Sequence, residues 1–343
     1  MPGKVAIIAN PASGRDVRRL AARATNVTHE AKGAQVARIA TGLDALGIDE
    51  IMVMQEPARV STSALQWMPL RARVHVLQTG QVTHSAADTE VAVRAAREAG
   101  CTVIVSLGGD GTNRIIARTW PEVPLVPLST GTNNVFPVSV EATSAGVAAG
   151  LVASGAIAAS EAGARCKLVH VQTDAWADLG VIDAVLLRND STGNLMPFDP
   201  DRLAALVLTR AEPGSVGMSP IGGYLNPVSF EDECGLALRC GSGRTLQVPV
   251  SPGLFGTVRV SLCERLAFDN VFLFEGPGVV AFDGDRLHTL AEGETARVTV
   301  RRDGPMVIDV GRCIGLAAQR GLLADRGPDA LPFTDRLTPR RSS

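Results

Sequence analysis

Lysine is almost missing from this chain of 343 residues: Lys4, Lys32 and Lys167 are the only three among 33 lysines and arginines. None of them ends a GxxxxGK[ST] pattern, which excludes a P-loop nucleotidase. The surplus of arginine fits a GC-rich coding sequence and is given no functional weight. Aromatic residues make up 4% of the chain, too few for base-stacking platforms. A formal net charge of −2 leaves no polyanion-binding surface, so nucleic acid is not an expected partner. Paired CxxC spacings are also missing. The six cysteines, Cys101, Cys166, Cys234, Cys240, Cys263 and Cys313, are scattered, mostly in apolar strand-like runs where a thiol acts as a small hydrophobe. A short strand pattern follows Lys4 directly, so no signal peptide is expected, and a reducing cytoplasm is the expected location. Long apolar runs are absent too. The stretch 142–160 is mostly Ala, Gly, Ser and Val and reads as a packed helix, so no membrane span or membrane partner is expected. The glycine turns lack GxGxxG spacing, which disfavours hydride chemistry on a dinucleotide. His29, His75, His84, His170 and His288 are dispersed, with no metal-ligand spacing; His75 and His170 read as core or sheet-face residues.

What remains is an ordinary soluble composition, 45% hydrophobic and 20% charged, on a chain long enough for two domains. Residues 1–140 alternate strand and helix. Strand patterns occupy 4–9, 49–54, 73–77, 101–106 and 124–128. Val36, Ile39, Leu43 and Leu46 mark one helical face. Ala87, Val91, Ala95 and Ala99 mark another, with Asp88 and Glu90 turned to solvent. Such alternation predicts an α/β domain with a doubly wound, mainly parallel sheet. In residues 141–312 the period becomes two, as in Leu236-Leu238-Cys240 and Val258-Val260-Leu262, with Gly241-Ser242-Gly243 and Ser251-Pro252-Gly253 as turns. A mainly antiparallel all-β domain is expected there. Residues 313–343 are expected to hold a last helix, over 311–323, and a poorly ordered tail from Ala324.

Three turns carry the chemistry. Gly108-Gly109-Asp110-Gly111-Thr112 follows a buried-looking strand and opens a helix. Glycines let the backbone approach a phosphate closely, and the amides at a helix N-terminus face an anion. Asp110 is placed to take a proton from a hydroxyl or to hold a metal. Asn10-Pro11-Ala12-Ser13-Gly14 follows the first strand, with Ser13 available as a helix cap or a phosphate contact. Ser129-Thr130-Gly131-Thr132-Asn133-Asn134 follows another strand. Any one turn would be unremarkable on steric grounds. Three of them at the carboxyl ends of strands is how an open parallel sheet builds its ligand crevice.

These residues resemble the superfamily of NAD kinases, diacylglycerol kinases and sphingosine kinases. The stretches 5–19 and 211–223 are similar to the NAD-kinase-like AcoX proteins associated with acetoin catabolism. The resemblance runs from Lys4 to about Arg312. It implies a two-domain NAD kinase-like fold, with Asp110 as the catalytic or metal-linked aspartate and Gly108, Gly109, Gly111 and Thr112 as the phosphate cradle. Asn133 and Asn134 fall where relatives contact nucleotide, and Ser215 is the hydroxyl of the segment 213–223 lining the dinucleotide site. Asp283, in Phe282-Asp283-Gly284-Asp285, matches the late Asp-Gly turn. ATP and Mg2+ are the implied cofactors, a nucleotide and a small molecule the implied partners, and a homo-oligomer the implied assembly; no metal ligand is assigned.

Two departures bear on the substrate. Where NAD kinases carry an Asn followed by an acid, the matching pair here is Ile182-Asp183 or, shifted by one, Asp183-Ala184; either way a single acid, Asp183, remains and the amide is gone. The turn 131–134 is closer in character to that of lipid kinases. By the resemblance alone, transfer of phosphate from ATP to a hydroxyl of NAD or a NAD-like molecule is the first expectation, which these departures weaken. A kinase of another small hydroxyl compound or lipid is the second, and a nucleotide sensor without turnover the third.

Overall fold

The computed structural model describes residues 3–14, 26–78, 80, 82–130 and 134–323. Gly131, Thr132, Asn133 and the tail from Ala324 lie outside the described residues.

The apolar runs read from the sequence become β1 (Lys4–Ala9), α1 (His29–Ala45), β2 (Glu50–Val53), α2 (Val60–Leu65), β3 (Arg73–Val76), α3 (Ala86–Glu98), β4 (Val103–Gly108), α4 (Asp110–Thr119) and β5 (Pro124–Ser129). β1 and β4 read as continuous Val, Ile and Ala because helices cover both faces of this parallel sheet. α5 (Ala142–Ala153), α6 (Ala159–Ala162) and β6 (Gly163–Arg165) follow. Then come β7 (Leu168–Gln172), β8 (Ala177–Gly180), β9 (Asp183–Leu187), β10 (Leu203–Leu208), α7 (Ser219–Gly223), β11 (Cys234–Ser251) and β12 (Leu254–Ala267). The chain ends with β13 (Phe272–Glu275), β14 (Gly278–Phe282), β15 (Asp285–Leu290), β16 (Thr295–Arg301), β17 (Met306–Ile308) and α8 (Val310–Gln319).

The first sheet has the order β3-β2-β1-β4-β5-β17-β6, parallel except where β6 meets β17. Strand order reverses between β1 and β4, so the loops leaving those two strands face one crevice. Two antiparallel sheets follow, β12-β11-β10-β9-β14-β15 and β13-β16-β7-β8. Phe274, Phe282, Val298 and Val300 fill the core between them, and α7 covers the outer face of the larger one. The α/β-plus-β architecture expected from periodicity is the one the chain adopts.

Details differ. α5 lies after residue 140 yet packs on the first sheet and α1, because small residues let the helices meet: a Cβ on Gly146 would lie 2.2 Å from the Ile39 carbonyl oxygen. β17 also returns to the first sheet. Gly241-Ser242-Gly243 does not end a strand. It is a bulge inside β11, where the register to β12 shifts between Cys240 and Arg244. In α3 the buried face is Asp88, Thr89, Ala92, Val93 and Ala96, one position over from the expected stripe, and Val91 is exposed. Short alanine side chains define a face only weakly, and Val93 decides it. His75 is exposed on β3, at the sheet's edge. No helix among the described residues is long and apolar enough to cross a membrane.

Candidate active site

α4 starts at Asp110, and its N-cap, Gly109, supplies no side-chain acceptor for the first-turn amides. Those amides are oriented toward an anion by the helix itself. A Cβ on Gly108 would collide with Thr112, whose hydroxyl accepts from Asn10 Nδ2 at 2.9 Å. That bond ties the β1 loop to α4. Asn10 Oδ1 accepts from the Ala12 amide at 2.9 Å, curling the loop. Lys32, fully buried, donates to the carbonyls of Asn10 (2.8 Å) and Pro11 (2.7 Å). Gly14 has φ +74°, and Ser13 Oγ lies 2.7 Å from Thr130 Oγ1, joining the first turn to the third.

Asp110, half-buried, accepts from the amides of Phe136 (2.9 Å) and Val135 (3.2 Å). Burial pushes its carboxyl up to about 6, and those amides pull it part of the way back. Asp183 begins β9 and is 7% exposed. Asp283 sits at φ +48° after β14, its carboxylate fed by the amides of Val181 (2.8 Å), Ile182 (2.8 Å) and Asp183 (3.1 Å). The Asp283 amide in turn donates to Asp183 Oδ1 at 3.1 Å. Burial, followed by the charge of Asp110, raises Asp283 to about 7. Burial, with repulsion from Asp283 and Asp110, holds Asp183 well above the usual carboxylate range. Three carboxyls from both halves of the chain thus meet, and their mutual repulsion favours a shared proton.

A cavity of about 590 Å3 opens over this cluster. Asn10, Pro11, Ser13, Gly14, Gly109, Asp110, Gly111, Thr112, Asn134, Asp183 and Asp283 all line it, so most of the sequence-selected residues converge. Gly108 and the buried Thr130 stand behind the wall. Ser215 does not line it: its hydroxyl donates to the Glu212 carbonyl (2.7 Å), and Val216, Gly217 and Met218 face the cavity instead. Ile182, one of the two positions that could match the relatives' amide, is buried core.

Several residues escaped sequence reasoning. Asp88, expected on a solvated face, is buried; it accepts from the Thr83 and His84 amides and lines the cavity with His84. Arg114, on α4, pairs with Asp178 on β8 at 2.7 Å, both buried; His288, stacked on Trp176, bonds the same carboxylate at 3.0 Å. Arg210 donates to the Val135 carbonyl next to the amides that hold Asp110. The scarcity of lysine was the one available signal, for Lys32. The others depend on contacts between residues distant in sequence.

A doubly wound sheet with glycine-turn amides at its switch point, facing acids from a β domain, defines an NAD kinase-like protein. The sequence model of the ATP-NAD kinase N-terminal domain matches residues 5–157. That of the acetoin catabolism protein X C-terminal domain matches residues 167–303. Acetoin catabolism protein X of Cupriavidus necator is 32% identical over 336 residues, 93% of each chain. The chain belongs to the acetoin catabolism protein X family. Among solved structures, yeast NADH kinase complexed with NADH aligns at a TM-score of 0.48 and 14% identity, covering 94% of this chain and 89% of that one, a likeness too slight to carry argument.

Proposed function

We propose that the protein is an ATP-dependent kinase that transfers a phosphoryl group to a hydroxyl of a small molecule, NAD or a NAD-like compound, in the cleft between its two halves. The observation that carries this reading is the meeting of phosphate-suited turns and three acids on one cavity. Phosphoryl transfer needs positioning and charge neutralisation more than covalent chemistry. In the proposed mechanism the first-turn amides of α4 and the turn 10–14 hold the donor's phosphates, and Asn134 and its neighbours 131–133 contact the nucleotide. Asp110, ionised, accepts the proton of the acceptor hydroxyl as that oxygen attacks the γ-phosphorus of ATP, whose bond to the bridging oxygen breaks and releases ADP. Asp183 and Asp283 define the acceptor's place.

No group of three or more His, Cys, Asp or Glu among the described residues is arranged to hold a metal ion alone. A magnesium ion arriving on the nucleotide's phosphates needs only one or two carboxylates, and in place of taking the proton Asp110 fits as such a ligand. Bound there, Mg2+ would neutralise phosphate charge. The reading includes a cytoplasmic, homo-oligomeric protein, checked by light scattering. Incubation with ATP, Mg2+ and NAD, followed by assay for NADP, tests the first acceptor. A kinase of another small hydroxyl compound or a lipid is the second reading, favoured by the single acid, Asp183, standing where NAD kinases carry an amide and an acid.

A further inference from the structure

The carboxylate of Asp110 is aimed by a peptide that the other half of the chain holds. Asp110 Oδ1 accepts from the amides of Phe136 (2.9 Å) and Val135 (3.2 Å), and the Val135 amide also reaches Oδ2 at 3.2 Å. The Phe136 N–H and the Val135 carbonyl belong to one peptide group. Arg210, in the loop from β10 to α7, donates through Nη2 to that carbonyl at 3.0 Å. A cation therefore sits at one end of a peptide whose other end donates to the carboxylate. Hydrogen bonds chained in this way polarise one another, and a charged donor at the head of the chain strengthens the next bond.

The guanidinium is itself fixed. Its carbon lies 5.6 Å from the centre of the Phe136 ring and 5.7 Å from that of Phe230, one ring from each half of the chain. Nη1 meets Glu212 Oε1 at 3.3 Å. The backbone beneath is tied to α7: the Ser219 hydroxyl donates to the Arg210 carbonyl (2.9 Å) and accepts from the Glu212 amide (2.8 Å). The Arg210 side chain is 12% exposed and Glu212 39%, so the pair with Glu212 is open to water and contributes little. The bond to the Val135 carbonyl is the contact that reaches the site.

We propose that Arg210 is a positioning residue for phosphoryl transfer, fixing the Asp110 carboxylate through the shared Val135–Phe136 peptide and making its aim depend on the second half of the chain. The proposal rests on the kinase reading above and deepens it. It holds for either duty of Asp110, taking the acceptor's proton or holding the metal, since both need a carboxylate that does not rotate. The test measures ADP release by the full chain from ATP and Mg2+, with NAD, a panel of sugars and small alcohols, or water as acceptor, and ATP affinity by calorimetric titration. Arg210→Met should lower kcat about 10–100-fold while the dissociation constant of ATP stays within about twofold. Arg210→Lys, which keeps a charged donor, should bring kcat back to within about fivefold of the unmodified chain. In an Asp110→Asn background, Arg210→Met should change kcat by less than about twofold, because the group it positions is gone. A contact that only supports the fold would multiply the two losses. If Arg210→Met does not fold, Arg210→Gln, which keeps a donor without the charge, takes its place in the same comparison. An unchanged kcat, losses that multiply, or weaker ATP binding as the sole effect overturns this inference and leaves phosphoryl transfer standing. No ADP release by the unmodified chain with any acceptor overturns the kinase reading and this inference together.

Discussion

Asp110, Asp183 and Asp283 are held in conditions that an isolated carboxylate would avoid, and this has consequences for both rate and stability. Folding raises all three above the ordinary value of 3.8, Asp110 to about 6 and Asp283 to about 7. Below pH about 4 each is protonated in folded and unfolded chain alike, and the fold carries no penalty from them. As pH rises from about 4 toward 6 and 7 the unfolded chain loses those protons while the folded chain keeps them, so stability falls, and it levels once the folded carboxyls ionise. Removing one charge from the cluster should therefore stabilise the protein near pH 7. Asp183→Asn is expected to raise Tm by about 2–4 °C for each kcal/mol of repulsion relieved, and to flatten the decline of Tm between pH 4 and 7. Calorimetry across that range checks both. For turnover the direction is opposite: the acting form of Asp110 is ionised, so the rate should rise as pH passes about 6 and then level.

The site rests on short connections between secondary-structure elements, and several of these are sensitive to a single atom. Gly14 has φ +74°, and a Cβ there would lie 2.5 Å from the Thr130 carbonyl oxygen. Gly14→Ala should push the first and third turns apart and weaken nucleotide binding about tenfold or more, measurable by calorimetric titration. The buried pair of Arg286 and Asp190 anchors the loop from β9 to β10. Arg286→Ala leaves that carboxylate with the more distant Arg202, at 3.6 Å, and should cost about 1.5–3 kcal/mol in urea unfolding. The turns themselves were legible in the sequence because three glycine-, asparagine- and hydroxyl-bearing turns recur at the ends of parallel strands. The supports were not. Asp88 looked solvated because helix periodicity reports the facing of apolar residues and says nothing of a carboxylate that caps the preceding loop. The paired glycines of β11 looked like a turn because a bulge uses the same residue. Ser215 was selected by resemblance, and its hydroxyl is taken by its own turn.

The halves of the molecule meet through a shared apolar cluster, where Ile8, Ile104, Ile116 and Phe136 pack with Cys166, Leu168, Val181 and Ile182, and through specific polar contacts. α4, which begins with Asp110, is tied to β8 by the buried Arg114–Asp178 pair, and His288 of β15 bonds the same aspartate. This junction faces Asp110 toward Asp183 and Asp283. Arg114→Leu should cost about 3–5 kcal/mol and reduce turnover more than nucleotide binding, because the phosphate turns belong to the first half alone. Strand-helix alternation and the later period-two pattern made both architectures readable. The return of β17 to the first sheet was not readable, since three residues carry no signal of a partner strand just over 180 positions earlier, at Pro124 (Met306 is its partner). The central claim is that Asp110 serves phosphoryl transfer from ATP, and it is tested most directly by comparing the full chain with Asp110→Asn. With ATP, Mg2+ and the acceptor that turns over best, the substitution should lower kcat about 10²–10⁴-fold while ATP still binds and the protein stays folded. Full turnover by the folded Asp110→Asn variant would contradict the account.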